Sequence, residues 1–250
     1  MDMKITFLGT GVAIPQKDRV QSGVLIEYGE NKVLFDCGGG ILNRIFESGV
    51  LHTEIDTIVL SHLHLDHVAD VMCLLKANWL CEKLDAVIYG PVGTQEWLGR
   101  LMAIYPYMKV KVNVEVREVV AGEEFELSQG CNVRCTDGIH SVPSLGYRVE
   151  HDGEVVVYSG DTEPCDSIMK LAQGADMLIH ECSFPLDFPM TNHATPDMLR
   201  PYLENSDISK VYLTHLYPHM QGHEKETLEY IKEKYEGEVH IASDLMTVEL

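Results

Sequence analysis

The stretch Ser61-His62-Leu63-His64-Leu65-Asp66-His67 follows the apolar run Ile58-Val59-Leu60 and precedes a helical pattern, so four potential metal ligands stand at the end of one strand. Imidazole nitrogen and carboxylate oxygen suit zinc and its borderline neighbours. Four donors within six residues exceed what a single tetrahedral ion with an open position needs from one loop. The spacing therefore predicts two metal ions, and its density argues against a chance group of solvated surface histidines. Working outward, ligand types recur just after other apolar strands: His140 after Thr136-Asp137-Gly138-Ile139, Asp161 after Val155-Val156-Val157-Tyr158-Ser159-Gly160, and His215 after Val211-Tyr212-Leu213-Thr214. Recurrence at strand ends predicts that these residues converge.

The chain around these segments is that of an ordinary globular protein. Its 250 residues, 45% hydrophobic and 23% charged, suffice to bury a sizeable core without disulfides, and disorder is not expected. Acidic residues outnumber basic ones by 39 to 19, a formal charge of -20, of which two divalent ions would offset only about four units. Such a surface repels polyanions and disfavours a broad nucleic-acid-binding face, which needs clustered Lys and Arg. The N-terminal run Met1-Asp2-Met3-Lys4-Ile5-Thr6-Phe7-Leu8-Gly9 lacks the basic and long apolar parts of a leader, and no apolar run reaches the roughly 18 residues of a membrane helix. A soluble, cytoplasmic protein is expected, with no membrane partner. None of the seven cysteines is paired as C-x-x-C, and they read as buried free thiols.

Short β-rich segments alternate with helical ones, and no linker or low-complexity tract divides the chain. Strands are predicted over 4–8, 23–28, 32–36, 57–60, 86–89, 112–118, 132–137, 145–150, 154–159, 177–181, 210–213 and 238–242. Their number suggests two sheets. Helices are predicted over 41–47, 68–80, 94–102, 166–172, 196–203 and 224–234, with Thr94, Asp166, Thr195 and His223 near their starts. The pattern supports an α/β fold, and two packed sheets with helices on both outer faces would use all of these elements.

The order H-x-H-x-D-H, then His140, then Ser159-Gly160-Asp161-Thr162, then Thr214-His215, resembles the metallo-β-lactamase superfamily. Within it the chain looks like the ribonuclease Z branch. The matches are Phe7-Leu8-Gly9-Thr10-Gly11, Leu34-Phe35-Asp36-Cys37-Gly38, and His180-Glu181 followed by His193-Ala194-Thr195. This resemblance spans Phe7 to His215 and implies a four-layer αββα sandwich forming one hydrolase domain over 1–250. It implies that His62, His64 and His140 hold one ion and Asp66, His67 and His215 the second, with Asp161 and a hydroxide bridging them. The ions would be zinc, with manganese or iron as the other candidates. Asp66 would also orient the water or accept its proton. Glu181 and His193 would serve the leaving oxygen, the carboxylate favouring a protonated imidazole. A homodimer is implied by the same resemblance.

Ribonuclease Z trims the 3′ end of precursor tRNA and grips it with a long arm inserted between its counterparts of His140 and Asp161. Here that interval holds only Ser141 to Gly160, so the arm is missing. Together with the acidity, this favours a small or cyclic phosphodiester, as in arm-less relatives of the branch. The alternatives are tRNA 3′-end processing, and ester, thioester or lactam hydrolysis by the same nucleophile. A binding protein without catalysis would show degenerate ligands, and none of the seven is missing. Other features carry less. Gly9-Thr10-Gly11 lacks the Lys and spacing of a phosphate loop and reads as a tight turn. The resemblance implies that Asp36 supports the histidine loop through hydrogen bonds, the alternative being a turn-forming Asp before Gly38-Gly39-Gly40. His180 is read as structural, His219 and His223 as outside the site, and His52, His151 and His240 as surface or edge positions. The charged run Glu224 to Lys234 fits a solvated helix face.

Overall fold

A computed structural model describes residues 3–128 and 130–250. In chain order the first half contains β1 (Lys4–Gly9), β2 (Gly23–Tyr28), β3 (Asn31–Phe35), α1 (Ile41–Glu47), β4 (Thr57–Val59), α2 (Leu65–Val68), α3 (Val71–Leu80), β5 (Asp85–Gly90), α4 (Thr94–Ile104), α5 (Pro106–Lys109) and β6 (Asn113–Glu118). The second half contains β7 (Glu124–Glu126), β8 (Asn132–Asp137), β9 (Leu145–His151), β10 (Glu154–Tyr158), α6 (Asp166–Leu171), β11 (Met177–Glu181), α7 (Pro196–Leu203), β12 (Lys210–Thr214), α8 (Glu224–Lys232), β13 (Glu238–Ile241) and β14 (Met246–Glu249). They form two seven-stranded sheets, ordered β14-β1-β2-β3-β4-β5-β6 and β13-β12-β11-β10-β9-β8-β7. Each is antiparallel on one side and parallel on the other, with β3 to β6 parallel in the first and β10 to β13 parallel in the second.

Side-chain alternation along the strands builds the layers. Ile5 and Phe7, Val24 and Ile26, and Val33 and Phe35 point into the space between the sheets, where Tyr147, Val149, Val156 and Ile179 meet them. Leu25, Leu34, Ile58 and Ile88 face the opposite way and pack on Ile41, Ile45, Leu74 and Leu98 of the helices. On the far side Leu178, Val211 and Leu213 bury against Leu199, Leu203 and Ile231. Three apolar layers separate four layers of structure, which is the expected αββα sandwich. No helix among the described residues is long and apolar enough to cross a membrane.

The structure departs from expectation in particular places. The helix predicted over 68–80 is broken into α2 and α3, because Asp70 leaves the helical ladder. Its carboxylate accepts the Gly40 and Leu42 N–H groups and so caps α1 from another element. Two strands were not foreseen. In β7 both ends are charged, and β14 is a short edge strand that returns the C-terminus to β1, pairing Lys4 with Glu249 and Phe7 with Met246. None of Thr94, Asp166, Thr195 and His223 caps its helix through a side chain. His151 is buried rather than superficial, its ring 4.9 Å from that of Tyr28. Of the thiols, Cys73 and Cys81 are exposed and the other five are buried, none of them paired.

Two details position the site. The loop between β9 and β10 is the two-residue turn Asp152-Gly153, both with positive φ (50° and 92°), so the interval where an arm would stand is a tight hairpin. Gly38 lies against the histidine loop: a Cβ there would stand 2.0 Å from the Asp66 carbonyl oxygen, while Cys37 N–H donates to the His67 carbonyl at 2.7 Å. Gly38→Ala should therefore destabilise the fold by about 1–3 kcal/mol through overpacking. Gly99→Ala, exposed inside α4 with open space around it, should instead stabilise by about 0.5–1 kcal/mol. Denaturant unfolding of the two variants checks both signs.

Candidate metal centre

The predicted ligands come from the carboxyl-terminal ends of strands in both sheets, the place where α/β sheets leave room for ligands. The loop after β4 carries His62, His64, Asp66 and His67, the last two in α2; His140 follows β8, Asp161 follows β10 and His215 follows β12. Sequence separations of up to 149 residues, from Asp66 to His215, close to a few ångströms. Single donor atoms of His62, His64, His140 and Asp161 lie within 4.8 Å of one another, and so do those of Asp66, His67 and His215. Asp161, His193 and His215 form a third such group.

Asp161 is the centre of the arrangement. Its Oδ2 lies 3.2 Å from His215 Nε2, 3.3 Å from His67 Nε2, 3.7 Å from His62 Nε2 and 4.0 Å from His140 Nε2. Asp66 Oδ2 is 3.6 Å from His215 Nε2, and His64 presents Nδ1, 3.1 Å from His140 Nε2. The Nε2 atoms of His62, His67 and His215 are buried and make no hydrogen bond. Three orphaned imidazole nitrogens around a buried carboxylate are costly unless a cation satisfies them, and this donor set fits divalent ions. Burial and the neighbouring His67 hold His62 well below its ordinary pKa, which keeps its lone pair available. Burial alone would raise the Asp161 carboxyl, but the charges of His215 and His67 hold it well below the usual carboxylate range.

Four of the five imidazoles are oriented from behind, as metal-binding histidines require, His64 being the exception. His67 Nδ1 donates to Asp36 Oδ2 at 2.7 Å, His62 Nδ1 meets Ser61 Oγ at 3.0 Å, His140 Nδ1 donates to the Asn192 carbonyl at 2.8 Å and His215 Nδ1 meets Ser183 Oγ at 3.0 Å. Asp36, expected as a support, accepts four bonds of 2.7 Å each, from Ser61 N–H, Ser61 Oγ, His67 Nδ1 and Tyr158 OH. Glu181 plays the corresponding part on the second sheet. It accepts His193 Nδ1 at 2.9 Å, Thr162 N–H at 2.9 Å, Ser183 Oγ at 2.6 Å and Ala194 N–H at 3.0 Å. Burial opposes a charge on His193, yet Glu181 outweighs it and raises the imidazole pKa. The His193 ring stands 5.1 Å from His140 and 5.5 Å from His215, at the edge of the cluster.

The other flagged residues fall where their chemistry places them. His180 is buried, its Nδ1 held by the Glu181 carbonyl at 2.6 Å. His219 packs on Phe184 and Phe188, and His223 pairs with Glu226. Thr10 turns into the structure, its N–H and hydroxyl both on Asp244, and Arg19 bonds the same hydroxyl. Sequence reading missed Ser61, Tyr158, Ser183 and Asn192. The only signal available was a hydroxyl next to a ligand, for Ser61, or two residues from Glu181, for Ser183; Tyr158 and Asn192 give none, since each acts through a contact made only on folding. His215 itself has φ 56°, a left-handed conformation that costs a non-glycine residue free energy and aims its ring inward.

Comparison with known proteins agrees with this geometry. The family described as "Anti-Pycsar protein Apyc1" matches residues 3–235. A ribonuclease Z from Mycobacterium bovis (strain BCG / Pasteur 1173P2) is 29% identical, over 99% of this chain and 98% of that protein. Among solved structures, the metallo-β-lactamase fold protein YhfI from Bacillus subtilis superimposes with a TM-score of 0.86 at 26% identity, covering 100% of both chains. The short form of human tRNase Z superimposes with a TM-score of 0.81 at 27% identity, covering 98% of each. The chain therefore belongs to the family of the anti-Pycsar protein Apyc1, among the ribonuclease Z-like metal-dependent hydrolases of the metallo-β-lactamase fold.

Proposed function

We propose that the protein is a phosphodiesterase acting on a small or cyclic phosphodiester at a dinuclear metal centre. The observation that carries this reading is Asp161 Oδ2 within 3.2–4.0 Å of four imidazole Nε2 atoms, beside a histidine gripped by a buried carboxylate. His62, His64 and His140 would hold one ion, Asp66, His67 and His215 the other, with Asp161 between them; zinc suits these donors and manganese or iron are the alternatives. When bound, two such ions supply Lewis acidity that brings the pKa of a shared water toward neutrality and draws charge off a phosphoryl oxygen.

The chain's own residues do the rest. Asp66, its Oδ2 accepting the Ala13 N–H at 3.0 Å, lies at the mouth of the cluster and orients the attacking water. His193 keeps Nδ1 on Glu181, which leaves Nε2 to donate a proton to the leaving oxygen or to stabilise its developing charge. The tight hairpin at Asp152-Gly153 and the charge of -20 support a small substrate over a long RNA. A second reading, 3′-end processing of tRNA, is supported by the curated relatives named ribonuclease Z. Hydrolysis of an ester, thioester or lactam would use the same ligands but has no need of the Glu181–His193 pair.

Three outcomes test the reading. Zinc- or manganese-loaded protein should cleave bis(p-nitrophenyl) phosphate and cyclic nucleotides and leave precursor tRNA intact. Hydrolysis of a thioester or lactam in their place would overturn the assignment. His193→Ala should lower kcat on the phosphodiester by roughly 10²–10⁴-fold while metal content, measured by mass spectrometry, stays at the wild-type value; unchanged turnover would remove His193 from the mechanism. For each ion bound, zinc at about 100 times that site's Kd should stabilise the metal-free protein by about 2.7 kcal/mol. Calorimetry would read that as a Tm rise of about 5–10 °C.

A further inference from the structure

Four imidazoles of the cluster are oriented through Nδ1, but only one of those contacts leads on to the carboxylate that holds His193. Ser183, buried at the turn after β11, has a single hydroxyl proton. Its shortest acceptor is Glu181 Oε2 at 2.6 Å, against 3.0 Å for the His215 carbonyl oxygen. With the proton committed to the carboxylate, the oxygen lone pairs are left to accept from His215 Nδ1 at 3.0 Å. That places hydrogen on Nδ1 and turns the Nε2 lone pair toward Asp161 and Asp66. The opposite tautomer would aim an N–H at the cluster and repel a cation. His67, His62 and His140 use Asp36, Ser61 and the Asn192 carbonyl instead, so they do not depend on Ser183.

We infer that Ser183 is a positioning residue that fixes the metal-binding tautomer of His215 and links it, through the shared Glu181, to the pair that carries His193. The inference rests on the dinuclear reading above. It makes Glu181 serve two imidazoles at once, His193 directly and His215 through one hydroxyl. Removing that hydroxyl strands the buried His215 N–H and frees the ring to change tautomer. Glu181 still keeps Ala194 N–H, Thr162 N–H and His193. The loss therefore falls on the Asp66, His67 and His215 set, and His62, His64 and His140 keep their ion.

The test is a cobalt titration of metal-free protein, followed by the visible absorption of the bound ions and by metal content. The wild type should take two ions. Ser183→Ala should keep one affinity and weaken the other by roughly 10–100-fold, the usual cost of losing such a support. Ser183→Thr, which returns a hydroxyl, should restore it. Two ions bound by Ser183→Ala with wild-type affinities, or both weakened alike in a variant whose circular dichroism is native, would overturn the inference alone. A wild type that takes fewer than two ions would overturn the dinuclear reading and the inference with it. Independently of any variant, long-range ¹H–¹⁵N correlation on the zinc-loaded wild type should find hydrogen on His215 Nδ1; hydrogen on Nε2 would overturn the proposal.

Discussion

A carboxylate sealed from water must find its donors within the protein, and Asp36, fully enclosed between the sheets, finds four at 2.7 Å. Those donors come from the loop after β4, from the first turn of α2 and from β10 of the opposite sheet. The same charge therefore fixes the backbone of Ser61, the hydroxyl of Ser61, the ring of His67 and the phenol of Tyr158. The Tyr147 hydroxyl on the Leu60 carbonyl and the Leu145 N–H on the Ser61 carbonyl add two more ties between the sheets at this level. The histidine loop is thus clamped to both sheets before any ion is considered. A buried charge with one donor removed costs several kcal/mol, which is why the clamp is specific as well as strong.

Glu181 repeats the device on the second sheet. Its oxygens reach the N–H after Asp161, the N–H after His193, the His193 ring and the hydroxyl of Ser183. Asp161 and His193 are on separate loops, which this side chain ties together along with Glu163, whose Oε1 accepts the Asn192 N–H at 2.6 Å. Asp36 holds His67 directly, and Glu181 holds His193 directly and His215 through Ser183, so these imidazoles have little freedom to turn. Such rigidity matters because donors scattered by even about 1 Å would lose most of the advantage of a prearranged site.

The same frame bears on what reaches the cluster. A tight two-residue turn joins β9 to β10, and acidic residues outnumber basic ones by 39 to 19. A net charge of -20 would disfavour a long polyanion, whereas the small phosphodiester proposed above would need only the local field of the proposed ions and of His193, whose pKa Glu181 raises. Overall acidity and local attraction for phosphate are compatible because the first acts over many ångströms through screened solvent and the second at contact.

Much of this was legible in the chain. Alternating apolar residues marked twelve of the fourteen strands, since a half-buried strand must repeat with period two, and the six-residue run from His62 to His67 marked the centre because so many donors in one loop have few other uses. What the sequence could not determine is which distant residues meet. Asp36 and Tyr158 are 122 positions apart and Ser183 and His215 are 32 apart. No local period encodes either contact. The break at Asp70, the burial of His151 and the roles of Ser61, Ser183 and Asn192 were decided by the tertiary structure alone, because a buried polar group takes whatever donor or acceptor the packing of the two sheets delivers to it.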